Sequence, residues 1–227
     1  MSQWCEYELT TSTQSWRWRI CLDDPTTTTT TTKPPDWTLL GCSRCPSCPL
    51  KEPDSAVCPA ASAVADVVDA LGTVASIDEV DVVFRGEERE VRKKTTGAVA
   101  ARSVLGLLLA TSGCPVLQEM RPLARHHLPF ASEEEWMFRL VGLQLLRSWF
   151  AAKDGVVDDV SLQALPAYLE HLRTLNIAFA KRLRQACAKD APANAMVQLF
   201  SLSVGAGYDF GDGLGSLRAF LGLPATE

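Results

Sequence analysis

Four of the eight cysteines in this 227-residue chain are each followed by proline: Cys45-Pro46, Cys48-Pro49, Cys58-Pro59 and Cys114-Pro115. Thiolates are soft ligands, and four of them make the tetrahedral shell that suits zinc. Cys45 and Cys48 have the two-residue spacing that lets both sulfurs reach one ion from a tight turn, leaving Cys58 and Cys114 as the other corners. A proline holds the residue before it in extended backbone, which suits a ligand knuckle, and is itself suited to the first position of a helix. Cys58-Pro59 and Cys114-Pro115 are thus expected to open helices. Both sulfurs would then lie at positive helix ends that favour the ligating thiolate. Cys5, Cys21, Cys42 and Cys187 lack the proline. The primary expectation is one zinc ion on Cys45, Cys48, Cys58 and Cys114.

Other uses of the same residues compete with this one. Cys42, Cys45 and Cys48 repeat at the spacing of the first three ligands of bacterial ferredoxins, and Cys58-Pro59 resembles their final Cys-Pro. That set would carry a 4Fe-4S cluster in a redox or sensor protein, although the gap before Cys58 is long and Cys114 is left over. A redox dithiol at Cys45 and Cys48 lacks the βαβ context that such pairs need. Buried, inert cysteines are the plain structural alternative.

A second concentration of polar chemistry runs from Arg121 through Arg125, His126 and His127 to Phe130. Two arginines and two histidines between prolines could bind an anion or carry acid–base work. The plainer reading is that one histidine bonds a backbone carbonyl or a thiolate while the arginines pair with Glu133–Glu135. His126 or His127 is also an alternative metal ligand, as is Cys42. Gly205-Ala206-Gly207 with Gly211, Gly213 and Gly215 lacks the preceding strand of a phosphate loop, so Asp209 and Asp212 read as turn residues or caps. His171 reads as a packing or surface residue. No catalytic motif emerges, and the reading leans away from an enzyme.

Composition narrows the class. A net charge of −5 and a pI near 5.3 argue against nucleic acid, which calls for a basic face. The basic run Val91–Lys94 reads as the solvated side of a strand. The longest apolar run, Val104–Ala110, is far short of the roughly 20 residues of a membrane span. The first residues lack the basic start and apolar stretch of a signal peptide. A cytoplasmic protein without membrane contact is expected. In a reducing compartment eight cysteines point to metal more than to disulfides.

The elements that must position the cysteines follow from periodicity. Glu6–Thr10 and Ser15–Leu22 read as strands around the polar turn Thr11–Gln14, with Trp16, Trp18, Ile20 and Leu22 alternating against Arg17, Arg19 and Cys21. The run Thr26–Thr32 offers nothing to bury and reads as an exposed, mobile hairpin loop. Trp37–Leu40 reads as extended and leads into the cysteines. Pro59–Val74 carries a helical stripe. A hairpin turning at Gly86-Glu87 joins Val80–Phe84 to Glu88–Lys94, and Ala98–Ser112 reads as a buried helix. Ser132 and Glu135 form a capping box for a helix over Glu133–Ala152. Further helices are expected over Ser161–Ala188, Ala193–Val204 and, after a glycine-rich link, Gly215–Leu221.

Strands early and helices late give an α+β fold: N-terminal antiparallel hairpins with interleaved helices, then a C-terminal helical bundle. Residues 1–114 form the mixed part with the cysteine cluster and residues 115–227 the helical part, as one continuous domain sharing a core. Three segments, Cys45–Leu50, Thr111–Pro115 and Arg121–Phe130, resemble a bacterial Cys-Pro-rich domain family of unknown function over roughly residues 37–150. The resemblance favours the Cys-Pro set, with Cys42 outside it, and implies no reaction. The function expected is a metal-organised scaffold or interaction module, acting on a protein partner or as a homodimer.

Overall fold

The computed structural model describes residues 3–23, 34–52, 55–157, 160–211 and 214–224. The threonine run expected as a loop lies outside these residues. Strands β1 (Trp4–Thr10), β2 (Ser15–Cys21), β3 (Glu79–Arg85) and β4 (Glu90–Thr96) form one antiparallel sheet in the order β2-β1-β3-β4. Tyr7 pairs with Trp18 on one side and Phe84 on the other. Among the described residues there are seven α-helices: α1 (Pro59–Leu71), α2 (Gly97–Thr111), α3 (Arg121–Arg125), α4 (Glu133–Lys153), α5 (Leu165–Ala186), α6 (Ala191–Gly211) and α7 (Gly215–Phe220). The chain is mixed α+β, with the sheet N-terminal and the helices mostly in the C-terminal half.

Contacts divide the chain into two compact units. The first joins Met1–Phe130 to Thr174–Leu199, and the second joins Ala131–Arg173 to Phe200–Glu227. In the first unit one face of the sheet is apolar because period-2 alternation puts Cys5, Tyr7, Leu9, Val80, Val82 and Phe84 on the same side, all buried. Helix α2 packs against β3, β4 and α1, and Val104, Leu105 and Leu107 are fully buried. The opposite face of the sheet is wet. There Arg85 bridges Glu6 at 3.1 Å, Glu8 at 2.8 Å and Glu90 at 2.9 Å, and Arg17 joins Glu8 at 3.1 Å. The basic run on β4 belongs to the same solvated pattern, with Arg92 paired to Glu90 and Lys94 to Glu79.

In the second unit the capping box is formed. Ser132 Oγ accepts from the Glu135 N–H, and Glu135 Oε2 accepts from the Ser132 N–H. Helix α4 buries Met137, Leu140 and Val141, and Phe138 meets Phe220 of α7 with ring centroids 5.4 Å apart.

Two local expectations are corrected. The Trp37–Leu40 segment is extended only at its end: Asp36–Thr38 forms a 3₁₀ turn, and Leu39 then bridges Val57. The Thr38 N–H and hydroxyl both donate to the Pro35 carbonyl, and this local pairing competes with extension. The glycine-rich stretch from Gly205 is not a link either, since α6 continues through it to Gly211. Helix continuity there outweighs the glycine penalty of about 1 kcal/mol per residue.

Gly97, the first residue of α2, makes a close approach that no other residue type allows. A Cβ there would run into the backbone carbonyl of Ala75 and the side chain of Val74. Glycine to alanine in a helix ordinarily stabilises by about 0.5–1 kcal/mol. Here the sign should invert, because a carbonyl oxygen cannot step aside. Gly97→Ala is expected to cost about 1–3 kcal/mol, measured by urea unfolding.

Candidate metal centre

Backbone pairing brings the cysteine loop to the start of α1. The Cys58 N–H donates to the Thr38 carbonyl at 2.8 Å, the Leu40 N–H donates to Ala56 at 2.9 Å, and Leu39 bridges Val57. Residues 38–40 and 56–58 therefore lie side by side, and the chain between them is a closed loop that carries Cys45 and Cys48. Within it the Cys48 N–H donates to the Cys45 carbonyl at 3.1 Å, the tight turn expected of that spacing. Arg44 donates to the carbonyls of Cys48 and Leu50, which braces the turn from outside.

Of the two cysteines expected to open helices, Cys58 does so, whereas Cys114 does not: Pro115 and Val116 form a turn and a 3₁₀ helix starts only at Leu117. Cys58 is the residue before α1, with φ −72° and ψ 117°, and Pro59 opens the helix. Its thiol makes no cap hydrogen bond, so the sulfur is left for other use. Cys114 follows Gly113, whose φ of +74° turns the chain at the end of α2. The Val116 and Leu117 N–H groups point at the Cys114 sulfur, and the Gln118 N–H donates to the Cys114 carbonyl at 2.9 Å. These free N–H groups at the start of a turn are what stabilises a thiolate.

All four sulfur-bearing residues line one small cavity of about 20 Å³, with Leu50, Pro59, Ala60, Val116, Leu175 and Phe179 as the rest of its wall. Leu175 and Phe179 are one turn apart on α5, in the stretch that belongs to the first unit. Burial pushes the Cys45 thiol up to about 12, and the neighbouring Cys58, Cys114 and Cys48 push the same way, whereas Arg182 opposes them. Cys114 is also raised, by burial and by Cys58 and Cys48, against the pull of its two N–H groups. Three stretches far apart in the chain thus deliver four thiols to one space. They are not drawn into a coordination shell: among the described residues no three His, Cys, Asp or Glu side chains stand at metal-binding spacing. Zinc–sulfur bonds of about 2.3 Å would require the sulfurs to close on an ion, and thiols have no reason to do so by themselves.

The space itself discriminates among occupants. A water needs roughly 10–15 Å³ and two to four polar partners. The room is sufficient for one water-sized body, but the wall is thiols and hydrocarbon. An eight-atom iron–sulfur cube is much larger than such a body. Cys42, the ligand that the cluster alternative needs, is not in the wall: its thiol donates to Gln185 Oε1 at 3.4 Å. Ser47, between Cys45 and Cys48, has a buried hydroxyl with no hydrogen-bond partner among the described residues.

The residues from Arg121 to His127 are brought to other places. His126 and His127 are not part of the cavity wall. His127 Nε2 lies 2.6 Å from the Tyr7 hydroxyl, which is itself 2.6 Å from Ser103 Oγ. The imidazole also meets Phe84 edge-on at 5.4 Å. The histidine is thus tied into the sheet–α2 core by a tyrosine that sequence reasoning did not single out. The expected pairing of the arginines with Glu133–Glu135 is replaced for Arg125, which donates to Asp23 at 2.7 Å. Arg125 and Arg121 together hold the Asp23 carboxyl below its usual range, after the hydrogen bond it accepts from the Gln3 N–H.

No curated protein and no solved structure matches the chain. A family model described as a domain of unknown function matches residues 6–221, which takes in both units and all four cavity cysteines. By that match the chain belongs to the DUF6901 family.

Proposed function

We propose that the protein is a zinc-organised scaffold or interaction module, with Cys45, Cys48, Cys58 and Cys114 holding one Zn²⁺. The observation that carries this reading is the convergence of these four thiols on a single space of about 20 Å³ with an otherwise apolar wall. Four thiolates close the tetrahedron and leave no position for water or substrate, so the ion organises structure and does no chemistry. The ion displaces the thiol protons, so affinity rises with pH. Availability of the thiols accords with a reducing, cytoplasmic setting, and all eight cysteines are unpaired. The helical part offers a surface to a protein partner or to a second copy.

The test is metal content. Protein purified under reducing conditions without chelator should carry about one zinc per chain, and a strong chelator should remove it and lower the melting temperature. Less than about half an equivalent of any transition metal would end the reading. Iron with sulfide and a brown colour would replace it by the cluster alternative on Cys42, Cys45, Cys48 and Cys58.

A further inference from the structure

Arg182 is the largest of the fully buried side chains, with 1% of its surface exposed. It lies on α5 one turn beyond Phe179, a wall residue of the cysteine cavity. One guanidinium nitrogen donates to the Trp37 carbonyl at 2.6 Å and the Leu39 carbonyl at 2.7 Å, and the other reaches Leu40 at 3.5 Å. These carbonyls belong to the segment that leads into the cysteine loop. Among the described residues no carboxylate pairs with Arg182, whereas Arg17, Arg85, Arg92, Arg125 and Arg173, none of them buried, each pair with at least one.

A buried guanidinium without a counter-ion is costly, because carbonyl dipoles replace only part of its hydration. The molecule retains it one turn along α5 from Phe179 of the cavity wall, where it holds the Trp37, Leu39 and Leu40 carbonyls that lead into the cysteine loop. Zinc on four thiolates carries a net charge of about −2, and such a centre is the anion that the site otherwise lacks. Arginine fits the role because it stays charged when buried and its rigid fork also grips the incoming chain.

We propose that Arg182 is the counter-charge of the four-cysteine centre and positions the loop that carries it. This inference rests on the zinc reading above. Two variants separate the charge from the grip. Arg182→Lys keeps a cation but loses the fork, and Arg182→Met fills much of the volume with no charge. Should Arg182→Met fail to fold, Arg182→Gln takes its place.

Zinc affinity is measured by chelator competition at fixed pH, together with the melting temperature of each metal-free protein. Arg182→Met is expected to lose about 10- to 100-fold in affinity, and Arg182→Lys to stay within about threefold of the wild type. A purely structural role would lower all melting temperatures without separating the two variants in affinity. Equal affinity losses in Lys and Met variants, or no loss in either, would overturn the counter-charge while leaving the zinc centre intact. A wild type that binds no zinc would remove both ideas, and the two failures are therefore distinguishable.

Discussion

Serine in place of Cys45 or Cys114 should strip the metal and lower the melting temperature, while Cys187→Ser should leave metal content unchanged. The contrast follows from position. Cys45 and Cys114 sit in the cavity wall on segments separated by the whole of α1, β3, β4 and α2, so each ligand ties distant chain to the same ion. A ligand that binds only the folded form stabilises by about 4 kcal/mol when present at a thousand times its dissociation constant. For a chain of this size that is roughly 8–16 °C. The loss should not unfold the protein outright, because the first unit has its own core of sheet, α1 and α2. Cys187 is only half-buried, its thiol raised to about 11 by burial and by Asp69, and it is no part of the wall. Cys42→Ser should also retain zinc. Metal analysis and thermal melts of the four variants decide the matter, and loss of metal from Cys42→Ser with retention in Cys114→Ser would reverse the ligand assignment.

The second large effect is expected at Phe179, which is 1% exposed and belongs both to the core and to the cavity wall. Truncation of a buried phenylalanine to alanine costs about 3–5 kcal/mol through lost transfer energy and the void left behind. At this site the void opens directly onto the thiols. Water could then enter a space whose wall is now mainly hydrocarbon and sulfur, and it would compete with the closed shell. Phe179→Ala should therefore lose stability in the metal-free protein and zinc affinity as well. Phe179→Leu, which keeps most of the volume, should lose less of both. Urea unfolding of the metal-free forms and chelator competition separate the two effects. A Phe179→Ala protein that is destabilised yet binds zinc like the wild type would show that the wall does not govern the centre.

Much of the local structure was legible because its causes act over a few residues. Alternation at Trp16, Trp18 and Ile20 marks β2, the Ser132–Glu135 pair marks the start of α4, and Cys58-Pro59 marks the start of α1. Proline restricts its neighbour whatever the rest of the chain does, so the candidate ligand set could be chosen from sequence alone. The errors at Trp37–Leu40 and at the glycines of α6 arose where competing local preferences are close in energy.

The chain by itself determined which segments become strands and helices and which cysteines are followed by proline. Only the tertiary structure decided that those cysteines share a space. That depends on the pairing of residues 38–40 with 56–58, on the end of α2 reaching the start of α1, and on the C-terminal stretch of α5 joining the first unit. It also decided that Arg182 is buried and that His127 bonds Tyr7, contacts that span 142 to 145 and 120 residues of chain. Burial of apolar surface drives such long-range packing, and it is non-directional, so no spacing in the sequence records which distant partners will meet.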